Sequence, residues 1–482
     1  AQSAGGAEAA KATGAQGVVS PPPAPRGATP APRVVEAVAA LADWVKGRGG
    51  TLSARVVEAD TGRVWAEHTP ALALNPASNM KVLTAAVALD RLGPEYRLST
   101  GLYGVLNAGR VETLVLRGEG DPALGVEDLW QLARALPHLG VTQVGRVLVD
   151  QSRFDEHFVP PAFEQQPNEW ASFRAPVSAV ALERNAVGVH VLPTRAGEPA
   201  RVWLEPAGVA DVEGSVETRR PGSGEAIQLS MEVREGNLIA RVGGHVAEGL
   251  PRMRFERRLD DPRRAPGLAL AAMLGELKIA VSGAVALGGA EIKPRLAFHE
   301  SPPLGVLVRE LGKNSDNFYA EMLLEMLGAD AGAVPASSQS GARVVSSWLG
   351  EHQLASPDTR ISNGSGLFDA NRVSAATLTG TLALAYHTPA VYPELLAQLA
   401  IGGVDGTLRS RFRTLSPRRV VRAKTGTLAA TIGLSGYVLS EQGLAPIAFS
   451  FLVNGIEGYT ADARQRIDRA VEAIARARAE QR

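Results

Sequence analysis

Residues 75–93, NPASNMKVLTAAVALDRLG, hold the reading that decides the fold. Asn75 and Pro76 supply an N-cap candidate and a favoured first helical residue. The run after them is apolar around most of its circumference, the mark of a helix buried in the middle of a domain. Its first turn carries Ser78 and Lys81, an S-x-x-K pair. Residues three apart share one helix face, so the amine can approach the hydroxyl. A helix N-terminus also points backbone N–H groups and partial positive charge at any oxyanion formed there. A lysine is a base only when neutral, and both burial by VLTAAVAL and a second nearby cation favour that form. The bland alternative is a capping serine beside a snorkelling lysine. Only seven of the 50 basic residues are lysines, and no other has a serine three positions before it.

Outward from this helix the two chain ends mirror one another. Before it, VVEAVAALADWVKGRGG reads as a helix from Val34, and LSARVVEAD with RVWAEH reads as a hairpin turning at Thr61 and Gly62. Near the C-terminal end, RRVVRAKTGT, TIGLSGYVLS and PIAFSFLVN are three successive strands joined by short turns. A last helix then lines up Ile467, Val471 and Ile474, its Arg-rich face reading as solvated. The expectation is a multidomain α+β chain with one antiparallel sheet built from both ends and the terminal helices packed on it. Residues 101–264 are glycine-punctuated and strand-like (LVLRGEGDP, VGRVLVD, VGVHVLP, RVWLEP), which predicts inserted β-rich material. Helical patterns return at PGLALAAMLGELKI and DNFYAEMLLEMLG. The division expected is a leader over 1–33, a catalytic part over 34–100 plus 265–482, and an insertion over 101–264. Within the insertion, two nested units are expected, about 101–185 plus 240–264 and 186–239.

Composition narrows the function. Net charge is zero, from 50 basic and 50 acidic residues, so no whole-chain field draws nucleic acid or an anionic membrane. There is no cysteine, which excludes disulfides, zinc–thiolate sites and a cysteine nucleophile. The eight histidines include no H-E-x-x-H, and no metal or other cofactor is expected. No uninterrupted apolar run is long enough for a membrane-spanning helix. The Ala-, Gly- and Pro-rich opening reads as a flexible leader of an exported, periplasmic-type protein.

Two further motifs join the first. Ser315-Asp316-Asn317 precedes a helical run; a hydroxyl placed between two amines relays a proton, and Asn317 can both donate to and accept from a peptide backbone. Lys424-Thr425-Gly426-Thr427 ends a strand; its lysine and threonine hydroxyls suit a carboxylate, and Gly426 would let an extended substrate lie close. The Thr427 N–H would join that of Ser78 in an oxyanion hole.

The three motifs, in this order, form the set shared by class A β-lactamases and penicillin-binding proteins. With a long interval between the first two, the chain resembles the low-molecular-weight class C penicillin-binding proteins, the D-Ala-D-Ala carboxypeptidases/endopeptidases. NPASNMKVLTAAVAL, LRGEGDPAL, FRAPVSAVALERNAVGV, NGSGLFDANRVS and GGVDGTLRSRF carry the likeness over about residues 34–460. The resemblance implies a transpeptidase/β-lactamase-like domain bearing insertions, acting on peptidoglycan stem peptides and covalently inhibited by β-lactams. It implies Ser78 as nucleophile, Lys81 as base and Ser315 as relay. It implies Asn317, Ser365 and Leu367 beside the substrate, with Lys424, Thr425, Gly426 and Thr427 as the carboxylate seat. Two segments depart from the family pattern: Asp369 stands where relatives carry a basic residue, and FEQQPNEWAS, with Glu169 and Trp170, only loosely matches a tryptophan-rich acidic stretch. The competing readings are a serine β-lactamase and a non-catalytic penicillin- or peptidoglycan-binding sensor. Between the second and third motifs no Glu has an Asn four residues later, the deacylating pair of class A enzymes; Ser78, Lys81 and Lys424 are all present, against a sensor.

Overall fold

The β-branched runs at both ends of the chain pair with one another. In the computed structural model, which describes residues 31–289 and 294–481, they form a six-stranded antiparallel sheet. Its order is Ala400–Ile401, Val421–Leu428, Thr431–Val438, Ile447–Asn454, Thr51–Glu58, Val64–His68. The strand at Thr51–Glu58 is zipped along its whole length to Ile447–Asn454, so the sheet closes only when the chain returns from its far end. Thr431–Val438 is buried at every position, because helices cover both faces of the sheet. The two terminal helices, Pro32–Lys46 and Thr460–Glu480, cover one face, with Val34, Val38, Leu41, Ile467, Val471 and Ile474 all in a shared apolar core. Most of the expected leader, residues 1–30, lies outside the described residues, and Pro32 and Arg33 already belong to the first helix.

On the other face lies a cluster of helices around Met80–Leu92, whose first ten residues are all buried. Asn317–Asp330 packs against it, with Leu304–Lys313, Ser338–Glu351 and Ala375–Tyr386 around the pair. The helix does not begin as the sequence suggests. Asn75 does receive the Ala77 N–H on its Oδ1 at 2.9 Å, but Ala77 has φ of +46°, and the chain makes a 3-10 turn over Ala77–Asn79 before the α-helix proper. Ser78 therefore stands in a tight 3-10 entrance that follows one left-handed residue, two positions before the regular helix begins.

The β-rich middle of the chain also includes a parallel pair with its crossover helix. Arg110–Gly118 and Gln143–Asp150 run parallel, joined by the helix Val126–His138, as a parallel pair requires. This sheet also takes in Ser99–Tyr103, Leu106–Asn107, Ala280–Val281, Ala286–Leu287 and Arg295–Glu300. The helix Ala265–Glu276 and the strands after it, grouped with the catalytic part on sequence, thus pack with the middle sheet. Leu270 and Leu274 join the core that holds Leu114, Val147 and Leu132. A three-stranded sheet (Ala186–Leu192, Arg201–Glu205, Met253–Arg258) and a four-stranded one between Asp211 and Ala247 share that core. Among the described residues no helix is long and apolar enough to cross a membrane.

Ile467 is fully buried between the last helix and the sheet. Ile467→Ala is expected to cost about 2–5 kcal/mol, read as a lower denaturant midpoint.

Candidate active site

Three segments far apart in sequence converge where the strand Val421–Leu428 crosses the 3-10 turn of Ser78. Glycines make the approach possible. A Cβ on Gly426 would lie 2.6 Å from Asn79 Nδ2 and 2.9 Å from the Pro76 carbonyl oxygen. The strand is pressed against the serine's turn, so Gly426 serves this packing as well as the access expected for a substrate. Gly366, with φ of +75°, closes the other side: its Cβ would lie 1.8 Å from the Ala77 carbonyl oxygen.

Lys81 is completely buried, and its Nζ has three partners. It lies 3.1 Å from Ser78 Oγ, 2.8 Å from Asn317 Oδ1 and 2.7 Å from the Ser365 carbonyl oxygen. Two of these can only accept, whereas a serine hydroxyl can donate. A neutral amine therefore satisfies all three by giving its two hydrogens to Asn317 and Ser365 and turning its lone pair to Ser78. Burial pushes the Lys81 amine down to about 7, against the opposing pull of Glu321 and Asp316. Asn317 is held by its Nδ2, which donates to the Phe173 carbonyl at 3.0 Å.

Lys424 is also buried, and burial first, then the charge of Lys81, hold it well below the usual lysine range. Its Nζ donates to Ser315 Oγ at 2.8 Å and to the Thr425 carbonyl at 2.7 Å. Ser315 has φ of +58°, a left-handed conformation that costs a non-glycine residue and is seen where the surrounding structure imposes it. Thr425 Oγ1 bonds to Thr407 Oγ1 at 2.9 Å, and Thr427 stands exposed at the strand's end. A cavity of about 430 Å³ opens beside Ser315 and Asn317, lined further by Phe173, Arg184, Arg254 and Tyr319.

Not every expected residue faces this cleft. Ser365 is fully buried: its hydroxyl accepts the Leu367 N–H at 3.1 Å, and its carbonyl serves Lys81. Its place is behind the amine, contrary to the expectation of direct substrate contact. Leu367 is half-buried beside it. Asp369 pairs with Arg372 at 2.5 Å and accepts from Asn75 Nδ2 at 3.1 Å. That acid thus braces the residue that caps the serine's turn. Glu169 and Trp170 are engaged locally: Glu169 accepts the Ala171 N–H at 2.9 Å, and the Arg258 guanidinium lies 4.7 Å from the Trp170 ring.

Sequence reasoning missed Thr407, which holds Thr425, and Glu321, which is fully buried behind Ser365. The signal for Glu321 was present: two acids, Glu321 and Glu325, interrupt the otherwise apolar FYAEMLLEMLG, and Glu321 lies one turn after Asn317.

With this geometry in hand, comparison with known proteins gives a consistent answer. A family model described as the D-Ala-D-Ala carboxypeptidase 3 (S13) family matches residues 36–477. A D-alanyl-D-alanine carboxypeptidase of an Actinomadura species is 33% identical over 427 residues, covering 84% of this chain and 77% of that one. The D-alanyl-D-alanine carboxypeptidase DacB of Haemophilus influenzae is 26% identical over 426 residues, covering 85% and 86%. The crystal structure of penicillin binding protein 4 from Haemophilus influenzae superposes with a TM-score of 0.74 at 23% identity, over 90% of this chain and 98% of that one. The last of these bears out the fold expected from the sequence.

The glycine contact at the serine's turn can be tested against an internal control. Gly366 and Gly443 share φ of +75°, but a Cβ on Gly443 meets nothing within 4 Å. Gly443→Ala should cost about 1–2 kcal/mol, the left-handed penalty alone. Gly366→Ala should cost clearly more in the same denaturation assay, and equal costs would remove the contact with Ala77 from the account.

Proposed function

We propose a reaction for this chain, which belongs to the D-Ala-D-Ala carboxypeptidase 3 (S13) family and is a penicillin-binding serine peptidase of the D-Ala-D-Ala carboxypeptidase class. The substrate is a peptidoglycan stem peptide, and the bond cleaved joins D-Ala to the residue after it. That residue is a terminal D-Ala in carboxypeptidase action and a cross-linked residue in endopeptidase action. The observation that carries the reading is the Lys81 amine, buried, 3.1 Å from Ser78 Oγ, with its other two partners able only to accept.

The substrate carboxylate docks on Lys424, Thr425 and Thr427. A docked anion favours the ammonium form of Lys424, and that cation in turn favours a neutral Lys81. Lys81 takes the Ser78 proton as Oγ attacks the D-Ala carbonyl carbon. The oxyanion sits between the N–H groups of Ser78 and Thr427. As the C–N bond breaks, the proton reaches the departing amine through Ser315, which Lys424 holds at 2.8 Å. Water attacks the resulting ester with Lys81 again as base, and Ser78 regains its proton. Asn317 both orients Lys81 and presents its amide toward the peptide. A β-lactam enters the same path and leaves Ser78 acylated. Action on a wall polymer outside the cytoplasm makes this an exported protein.

Two sets of measurements test the proposal, the first on adduct and products. Wild-type protein should form a covalent adduct with a fluorescent penicillin and release D-Ala from a pentapeptide, and Ser78→Ala should lose both; an adduct that survives in Ser78→Ala sinks the mechanism. Digestion of cross-linked muropeptide dimers reads the endopeptidase arm.

The second measurement is the pH dependence of acylation. Only neutral Lys81 is a base, so the second-order rate should climb from pH 5, reach half its limit near 7, where half of the amine has lost its proton, and level off at higher pH. A flat profile across that window would exclude Lys81 as the base.

A further inference from the structure

Behind the reacting pair lies a buried acid that the reaction does not use. Glu321 is on the helix Asn317–Asp330, one turn beyond Asn317 and on the same face. It is fully buried, yet both carboxylate oxygens are occupied. Oε2 accepts the Gly364 N–H at 2.9 Å and Oε1 the Ser365 N–H at 2.8 Å. The next peptide unit carries the Ser365 carbonyl to Lys81 Nζ at 2.7 Å. Thr84 Oγ1 donates to the Gly364 carbonyl at 2.8 Å from the opposite side, and a Cβ on Gly364 would strike the Ala320 carbonyl oxygen at 2.3 Å. The loop is thus seated against the helix, and both acceptors for the amine depend on that helix, Asn317 directly and Ser365 through Glu321.

We infer that Glu321 is a positioning residue for the base: by gripping two successive N–H groups it aims the Ser365 carbonyl at Lys81 and so directs the amine's lone pair to Ser78. The inference rests on the proposed role of Lys81. A carboxylate suits the task because each of its oxygens accepts, whereas a glutamine would turn an NH₂ toward one of the two N–H donors. Its charge has a second effect. A buried anion beside an amine favours the ammonium form, and the titratable groups around the pair are Asp316 at the helix start, Lys424 on the neighbouring strand and Glu325 one turn further on, which burial pushes up to about 8. Burial pushes Glu321 up, only partly offset by its hydrogen bonds and by the charge of Lys81, and through that last interaction the charges of Glu321 and Lys81 respond to each other.

The test compares Glu321→Gln and Thr84→Val with wild type by the rate of Ser78 acylation by a fluorescent penicillin between pH 5 and 9. Both variants are near-isosteric, and circular dichroism establishes folding. Glu321→Gln should slow acylation roughly tenfold or more at the plateau, the scale of a lost hydrogen bond to a charged group. Its acid limb should also move to lower pH, because the amine has lost a neighbouring anion. Thr84→Val should slow acylation less and leave the acid limb in place. A folded Glu321→Gln that acylates at the wild-type rate overturns the inference. So does one that is slower with an unmoved acid limb, since that is a merely structural role. If Glu321→Gln does not fold, Thr84→Val decides: slower acylation supports the seating of this loop, and a wild-type rate overturns it. Failure of wild type to acylate at Ser78 would instead strike the proposed function itself.

Discussion

Burying the Lys81 amine completely obliges its surroundings to do two things at once. Desolvation makes the charged form costly, which lowers the amine toward neutrality. A neutral amine in a dry site still needs partners for its two hydrogens, since an unmade buried hydrogen bond costs more than a made one contributes. Asn317 and the Ser365 carbonyl meet that need, and the only direction left open is the one toward Ser78. Much of the local architecture is a consequence. The helix of Asn317 must lie against that of Lys81, the 363–367 loop must be seated behind both, and the strand of Lys424 must press close enough for a second buried lysine to share the site.

Close approach is what the glycines make possible. Gly426, Gly433, Gly366 and Gly364 each stand where a Cβ would meet backbone or the Asn79 amide at 2.6 Å or less. The first three ring the turn over residues 76–79, and the fourth seats the loop on the helix of Glu321. Ser78 is thereby held on a short 3-10 turn by contacts from both strands and the loop, with Ala77 at φ of +46°. Strain of this kind is kept only where packing imposes it.

Much of this was legible in the sequence because it is local and periodic. The three successive strand runs at 421–454 announced the sheet, the Ile467 stripe announced the packed helix, and three-residue spacing announced that Lys81 meets Ser78. The hidden parts depend on tertiary neighbours. The 3-10 entrance at Ala77 arises from the strand and loop that press on it, not from its own propensity. Strands of two residues at Ala280–Val281 and Ala286–Leu287 are too short to carry a period, so the helix before them was grouped with the wrong core. Ser365 looked like a cleft residue because a motif gives position along the chain, whereas burial of its side chain is set by Glu321 and Leu367. Glu321 itself was visible only as an acid in an apolar run, a pattern without a partner until the loop at 364 is folded onto it.

The pairing of Thr51–Glu58 with Ile447–Asn454 has a consequence for the order in which the molecule comes into being. A ribosome works from one end, so the nucleophile is made long before the strand that bears Lys424. Until the strand Ile447–Asn454 has been made, the first strand lacks the neighbour that ties it to the Lys424 strand, and the left-handed residue Ala77 lacks part of the contacts that impose it. Contacts this distant in sequence form slowly, since the loop between them must close first. A nascent chain thus carries Ser78 before it holds the strand of Lys424, and the environment that makes the hydroxyl reactive waits on the closing of the sheet.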